Sequence, residues 1–391
     1  MVLKLLKLKG IIDGKSDNLI EKDCILIEGE RIEHVGTIDD FGQLDDVQVM
    51  DLRNYYAMAG MIDCHTHLSV IPELGDQIGQ LKIPASRNIL RSLNNIKADF
   101  KAGTTTMRVM GEENYIDIEI KNAINEGLIN GPSILASGIG LTSINGHGYA
   151  LTSTDGLEEI RKRARINFHK GADQLKIFVT GGVSSEGSVL NKSSYSLEEI
   201  ETAVYESERA GKYVCAHAHG GEGIDLCIKA GVKSIEHGTL LTDKQIEKMI
   251  KNNMWLTITS FIIFSDKGVG YGDRNNSKIR EKLEKVRDIA KENYSRIVSS
   301  GINFVLGTDS MHGCLPEEVK FVTDLGVSNI EGIKAVTGRA AEACGIDEIG
   351  TIEKGKIADL IILKRNPVED IEALKEIFLI IKKGKIVEDY L

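Results

Sequence analysis

Between residues 59 and 348, short apolar runs alternate with longer stretches of helical period, and this alternation narrows the choice of fold. The runs are AMAGMIDCH, TTTMRVM (104–110), SILASGI (133–139), DQLKIFV (173–179), KYVCAHA (212–218), VKSIEHG (232–238), MWLTITS (254–260) and NFVLGTD (303–309). Stretches such as SLEEIETAVYESERAGK (196–212) and SKIREKLEKVRDIAKENYSRIVSSG (277–301) separate them and close on glycine. Strands that alternate with helices pair in parallel and carry the helices outside. Eight units of about 36 residues fit an α/β chain folded as a (β/α)8 TIM barrel with some long loops.

Both ends read differently. Residues 1–58 and 349–391 carry strand signals separated by turn glycines, with hairpin turns expected at EGER (28–31) and at Lys383-Gly384. Neither end has enough strands to stand alone, so the two are expected to form one composite β-sandwich, leaving 59–348 as the barrel.

The balance of 48 Lys and Arg against 58 Asp and Glu gives a net charge of −10, which disfavours nucleic acid or an anionic membrane as partner. No apolar run approaches the roughly 18 residues of a membrane helix, and MVLKLLKLKG lacks the apolar centre of a signal peptide. Six scattered cysteines without a CxxC pair read as reduced thiols, and a cytoplasmic location is expected.

The polar groups are concentrated at the ends of the apolar runs. In GMIDCHTHL, residues two apart share a strand face, so His65 and His67 lie with Met61 and Asp63, and Cys64 faces the helices. Lys176 falls in the fourth run, His217 and His219 end the fifth, His237 ends the sixth and Asp309 ends the eighth. All fall at C-terminal strand ends, the barrel face where chemistry is done. Buried imidazoles need partners, and a shared divalent cation supplies one economically. Imidazole and carboxylate ligands suit zinc, with manganese, iron or cobalt as alternatives. An ammonium would be repelled from such a centre, but Lys176 carboxylated by CO2 would present an anionic carbamate. His34 and His169 read as solvated surface. TGG (180–182) and HGG (219–221) do not fit a phosphate-binding fingerprint.

GMIDCHTHL, GADQLKIFVTGGV, VCAHAHG, SIEHGTLL, GTDS and GTIEKGKIADLIIL together resemble the amidohydrolase superfamily of metal-dependent hydrolases, over about residues 20 to 370. Within it, the chain is most similar to the branch of Xaa-Pro dipeptidases, arginine carboxypeptidases and imidazolonepropionase-related proteins. The resemblance implies two metals. His65, His67 and Asp309 would hold one, His217 and His237 the other, and carboxylated Lys176 would bridge them. It also implies that His147, in INGHGYA, and His219 contact the substrate. Arg108 would either pair with a substrate carboxylate or form a structural salt bridge. Val109 stands where the branch usually has Asp, and His312, in MHGCLPEEVKF, has no counterpart role.

The activity so implied is cleavage of a C–N amide bond in a dipeptide or N-acyl amino acid by a hydroxide shared between the metals. Asp309 would move the proton and His219 would steady the oxyanion. Expected partners are a small-molecule or dipeptide substrate and further copies of the chain in a homo-oligomer. Deaminases of the superfamily carry HxxE or HxE where this chain has HAHG, which favours amide hydrolysis. Cyclic-amide hydrolysis of the imidazolonepropionase type is the alternative. A non-catalytic scaffold would have shed ligands that all stand here.

Overall fold

The structure, a computed structural model, describes residues 3–41 and 46–387. Four strands lead: β1 (Leu3–Ile12), β2 (Cys24–Glu28), β3 (Arg31–Gly36) and β4 (Val47–Ala59). Eight follow: β5 (Met61–Thr66), β6 (Thr104–Val109), β7 (Ser133–Leu135), β8 (Leu175–Phe178), β9 (Val214–Gly220), β10 (Ser234–Leu240), β11 (Trp255–Ile258) and β12 (Asn303–Leu306). Three close the described chain: β13 (Leu360–Leu363), β14 (Ile377–Lys382) and β15 (Lys385–Ile386).

Strands from the two ends share one seven-stranded sheet, ordered β15-β14-β13-β4-β1-β2-β3. The ends meet where β13 runs antiparallel to β4, with Leu360 opposite Ala59 and Leu363 opposite Tyr56. Leu6, Ile11, Ile25, Ile27, Ile32 and Ile362 build a separate apolar core there. At the β14–β15 turn, Lys383 and Gly384 both have positive φ (48° and 71°), as a tight hairpin with the strands' own twist requires.

Strands β5 to β12 are parallel, hydrogen-bonded as β5-β6-β7 and as β8 to β12 in chain order. Two seams join the groups. Leu141, beyond the short β7, bonds across to β8 through its N–H to Lys176 O and its carbonyl to Phe178 N, both 2.8 Å. On the other side Asp309 N donates to His65 O at 2.8 Å, just past β12. Gly307 lies at this seam, where a Cβ would come within 2.5 Å of the His65 nitrogen, so only glycine admits the approach. This is a TIM barrel with a separate β-rich layer.

Helices α1 (Ala85–Lys101), α2 (Ile116–Asn125), α3 (Gly156–Lys170), α4 (Leu197–Arg209), α5 (Gly221–Ala230) and α6 (Asp243–Lys251) connect successive strands. Capping boxes start α4 (Ser196 with Glu199) and α6 (Thr242 with Gln245). After β11 come two short helices, α7 (Phe261–Phe264) and α8 (Val269–Gly272), and then α9 (Ser277–Val298). Ile279, Leu283, Val286, Ala290, Tyr294 and Ile297 recur on α9 at helical period and form its buried face. No helix among the described residues is long and apolar enough to cross a membrane.

Candidate metal centre and substrate recess

Six of the nine histidines converge at the C-terminal ends of the barrel strands. Ring centroids are 4.7 Å apart for His65 and His237, 4.6 Å for His217 and His237, and 4.9 Å for His217 and His219. His67 lies 5.7 Å from His65, and His147 stacks on His217 at 4.5 Å. The six imidazoles and Lys176 are all buried. The remaining histidines stand apart: His34 and His169 are exposed, and His312 pairs with Asp99.

Hydrogen bonds fix how the rings face. His65 Nδ1 is 2.7 Å from a Glu236 carboxylate oxygen, and His67 Nδ1 is 2.8 Å from Gly111 O. Both partners only accept, so each Nδ1 carries the proton and each Nε2 keeps its lone pair. His217 is turned the other way, donating from Nε2 to Gly181 O at 3.2 Å and leaving Nδ1 free. His219 and His237 pair through Nδ1 with the hydroxyls of Thr239 and Thr259, each at 2.7 Å.

The free nitrogens face a carboxylate. Asp309 Oδ1 is 3.4 Å from His65 Nε2 and 3.9 Å from His67 Nε2. Ligand atoms of His65, His237 and Asp309 lie within 4.8 Å of one another, close enough to share one ion. His65 Nε2 and Lys176 Nζ are buried with no hydrogen-bond partner, the mark of groups arranged for something other than protein. His237 and Asp309 have positive φ (77° and 48°), backbone strain concentrated at the centre.

Burial sets the charges. It pulls the imidazoles down, His67 to about 4, His147 and His219 to about 3, and His217 and His237 well below their ordinary value. Neutral imidazoles are the form that binds metals. Burial opposes ionisation of Asp309 as well, but His65, His67 and Lys176 outweigh it and hold the carboxyl far below its usual range. Lys176 is pulled down to about 8 by burial, against the attraction of Glu236 and Asp309, with its Nζ 5.0 Å from the Phe178 ring centroid.

Arg108 is not at the substrate. The carboxylate-binding expectation for it fails because the side chain lies wholly buried beneath the histidines with its donors spent. Its Nε donates to Cys64 O at 2.7 Å, and its terminal nitrogens reach Thr257 Oγ1 at 2.9 Å and Glu236 at 3.2 Å. It is the structural salt bridge. Glu236, which the sequence reading missed, is pushed up by burial but held at about 2 by Arg108 and His65. The pair therefore forms a buried ionic base for His65.

A narrow recess opens above the centre. Its apolar wall is Val70, Ile78 and Leu81 from the loop after β5, with Ile262, Ile263 and Val269 from α7 and α8. His147 lines it too, braced by Ser185 Oγ at 2.8 Å from its Nδ1. His219, Asp309 and Gln77 complete the polar side.

The sequence model of the Amidohydrolase family matches residues 56–387. Ochratoxinase from Aspergillus niger is 28% identical over 350 residues, covering 82% of this chain and 72% of its own. A crystal structure of a Xaa-Pro dipeptidase with methionine in its active site superposes with TM-score 0.89 at 28% identity, over 99% of this chain and all of the other. A prolidase complexed with N-methylphosphonate-L-proline gives TM-score 0.90 at 28% identity, over 99% of both chains.

Proposed function

The chain belongs to the amidohydrolase family and is a hydrolase of carbon–nitrogen amide bonds; we propose that two zinc ions serve it and that its substrate is a dipeptide or an N-acyl amino acid. The observation that carries the metal reading is the pair of orphaned buried nitrogens, His65 Nε2 and Lys176 Nζ, beside Asp309 and five more buried imidazoles. His65, His67 and Asp309 would hold one ion, His217 and His237 the other, and Lys176 as its carbamate would serve both. A buried amine with no partner, brought down to about 8, more readily loses its proton to give the free base, whose lone pair attacks CO2. Bound, the ions would polarise the scissile carbonyl and make water acidic enough to ionise near neutral pH.

The chain's own groups do the rest. Ionised Asp309 accepts the proton of the attacking water and passes it to the leaving nitrogen, since an amine leaves poorly unless protonated. His219, buttressed by Thr239, offers its outer ring nitrogen to the developing oxyanion. His147 meets the substrate from the facing loop. The aliphatic wall suits a prolyl ring or branched side chain, and the likeness to a dipeptidase and a prolidase over nearly the whole chain supports a dipeptide.

The test is direct. Zinc-reconstituted protein is screened against dipeptides and N-acyl amino acids, with imidazolonepropionate included, and its metal content is measured. Two equivalents of zinc and turnover of dipeptides bear the proposal out. Turnover confined to the cyclic amide, or one equivalent of metal, rejects it.

A further inference from the structure

Two glutamines three residues apart on the loop after β5 are equally buried, each 7% exposed, yet only one is satisfied. The Gln80 amide closes the loop on itself. Its oxygen accepts from Ile71 N at 3.0 Å, and its nitrogen donates to the carbonyls of Ile71 (3.0 Å) and Gly75 (2.8 Å). The Gln77 side-chain nitrogen has no partner at all. Gln77 is among the residues that line the recess, with Ile78 and Leu81 of the same loop and five of the imidazoles. A buried amide donor without a partner is destabilising, and an acceptor brought by a ligand would relieve it.

The backbone that carries Gln77 is held firmly. Asp76 N donates to Asp273 Oδ1 at 2.9 Å, and the Asp76 carboxylate also accepts from Tyr149 Oη and Gly79 N. Gly75 abuts Gly272 of α8 so closely that a Cβ on Gly75 would come within 2.6 Å of the Gly272 carbonyl. Gln77 is thus fixed between two braced neighbours.

We propose that Gln77 is the residue that recognises the carboxyl end of the substrate, its amide N–H donating to an oxygen there; this rests on the dipeptide reading above. The assignment follows from counting oxygens. A dipeptide has two acceptor groups, the scissile carbonyl and the terminal carboxyl group. The first belongs at the imidazole cluster, where hydrolysis occurs, which leaves the second for Gln77. No lysine or arginine lines the recess among the described residues, so the recognising donor is uncharged. It can read a carboxylate or a carboxamide, and it discriminates against a leaving amine with no oxygen, because the donor then stays buried and unpaired.

Three matched substrates separate these cases: L-methionyl-L-proline, its C-terminal amide, and L-methionyl-pyrrolidide, which lacks the oxygen. Gln77→Leu should lower kcat/KM for the first two about 10- to 100-fold, chiefly through KM, and leave the third within about twofold. Gln77→Glu sets a like charge against the terminal carboxylate and should penalise the dipeptide more than its amide; equal losses on the two would count against the assignment. Zinc content should not change in either variant. Calorimetric titration with L-proline gives a readout independent of turnover, and Gln77→Leu should weaken that binding by a similar factor. Equal losses on all three substrates, or no difference in L-proline binding between wild type and variant, overturn the assignment. Failure of the wild type on all three substrates rejects the dipeptide reading instead.

Discussion

Glu236 and His65 sit on strands β10 and β5, with a carboxylate oxygen 2.7 Å from Nδ1 and neither side chain exposed. That contact fixes the tautomer that aims the His65 lone pair at the centre, and Arg108 holds the carboxylate ionised from the other side. Glu236→Gln keeps the shape but allows an amide N–H to face Nδ1, which favours the wrong tautomer. Zinc affinity, measured by chelator competition, should fall about 10- to 100-fold. Glu236→Ala additionally strands a buried guanidinium and should cost about 3–5 kcal/mol in denaturant unfolding. Unchanged affinity in the first variant would show that the contact does not orient the ring.

Lys176 gives a prediction about gas rather than protein. If its carbamate completes the centre, apoprotein reconstituted in CO2-free buffer should take up less zinc than apoprotein given bicarbonate. ¹³C-bicarbonate should add a carbamate resonance that Lys176→Ala lacks. The variant should retain at most one equivalent of zinc. Equal uptake with and without CO2 would remove the carbamate from the account.

The barrel and the cluster were legible because their signals are periodic: strands recur at unit spacing, and HxH places two rings on one face. Glu236 was not legible, because strict alternation sends neighbours 236 and 237 to opposite sides of β10. The backbone evades that rule with φ 77° at His237 and a shift of register toward β9. Arg108 was legible as an inward residue, but whether its end reaches substrate or a buried acid depends on which residue faces it across the barrel. Gln77 lies in a loop with no period at all, and only its missing partner marks it out.

Asp309 tests the proton path. Asn is the substitution that best isolates the charge, since it tolerates the positive φ of 48° and leaves the backbone bond to His65 O intact. Asp309→Asn should retain at least half of the bound zinc while kcat falls about 10²- to 10⁴-fold. Retained turnover would assign the proton to another group.

His312 makes the last prediction, one of stability. Its Nδ1 is 2.7 Å from an Asp99 oxygen and its Nε2 is 3.1 Å from Val70 O, so both ring nitrogens meet acceptors and the ring must be protonated to satisfy them. Burial opposes that charge, but Asp99 and the two hydrogen bonds outweigh it, and the imidazolium is held above its ordinary value. The folded protein therefore keeps a proton that the unfolded chain, with a histidine near 6.5, gives up. Stability from this group is complete below about pH 6.5 and declines as pH rises through the higher folded value. Other buried acids also titrate in this range, Glu318 being pushed up to about 8 by burial, so the comparison must be between proteins. Wild type and His312→Gln are melted from pH 6 to 9, and the gap in Tm should be widest at the acid end and narrow toward the alkaline end. A gap independent of pH would mean that the ring is neutral and merely fills space. Because the ring also grips Val70 in the recess wall, the variant should raise KM for dipeptides without lowering zinc content.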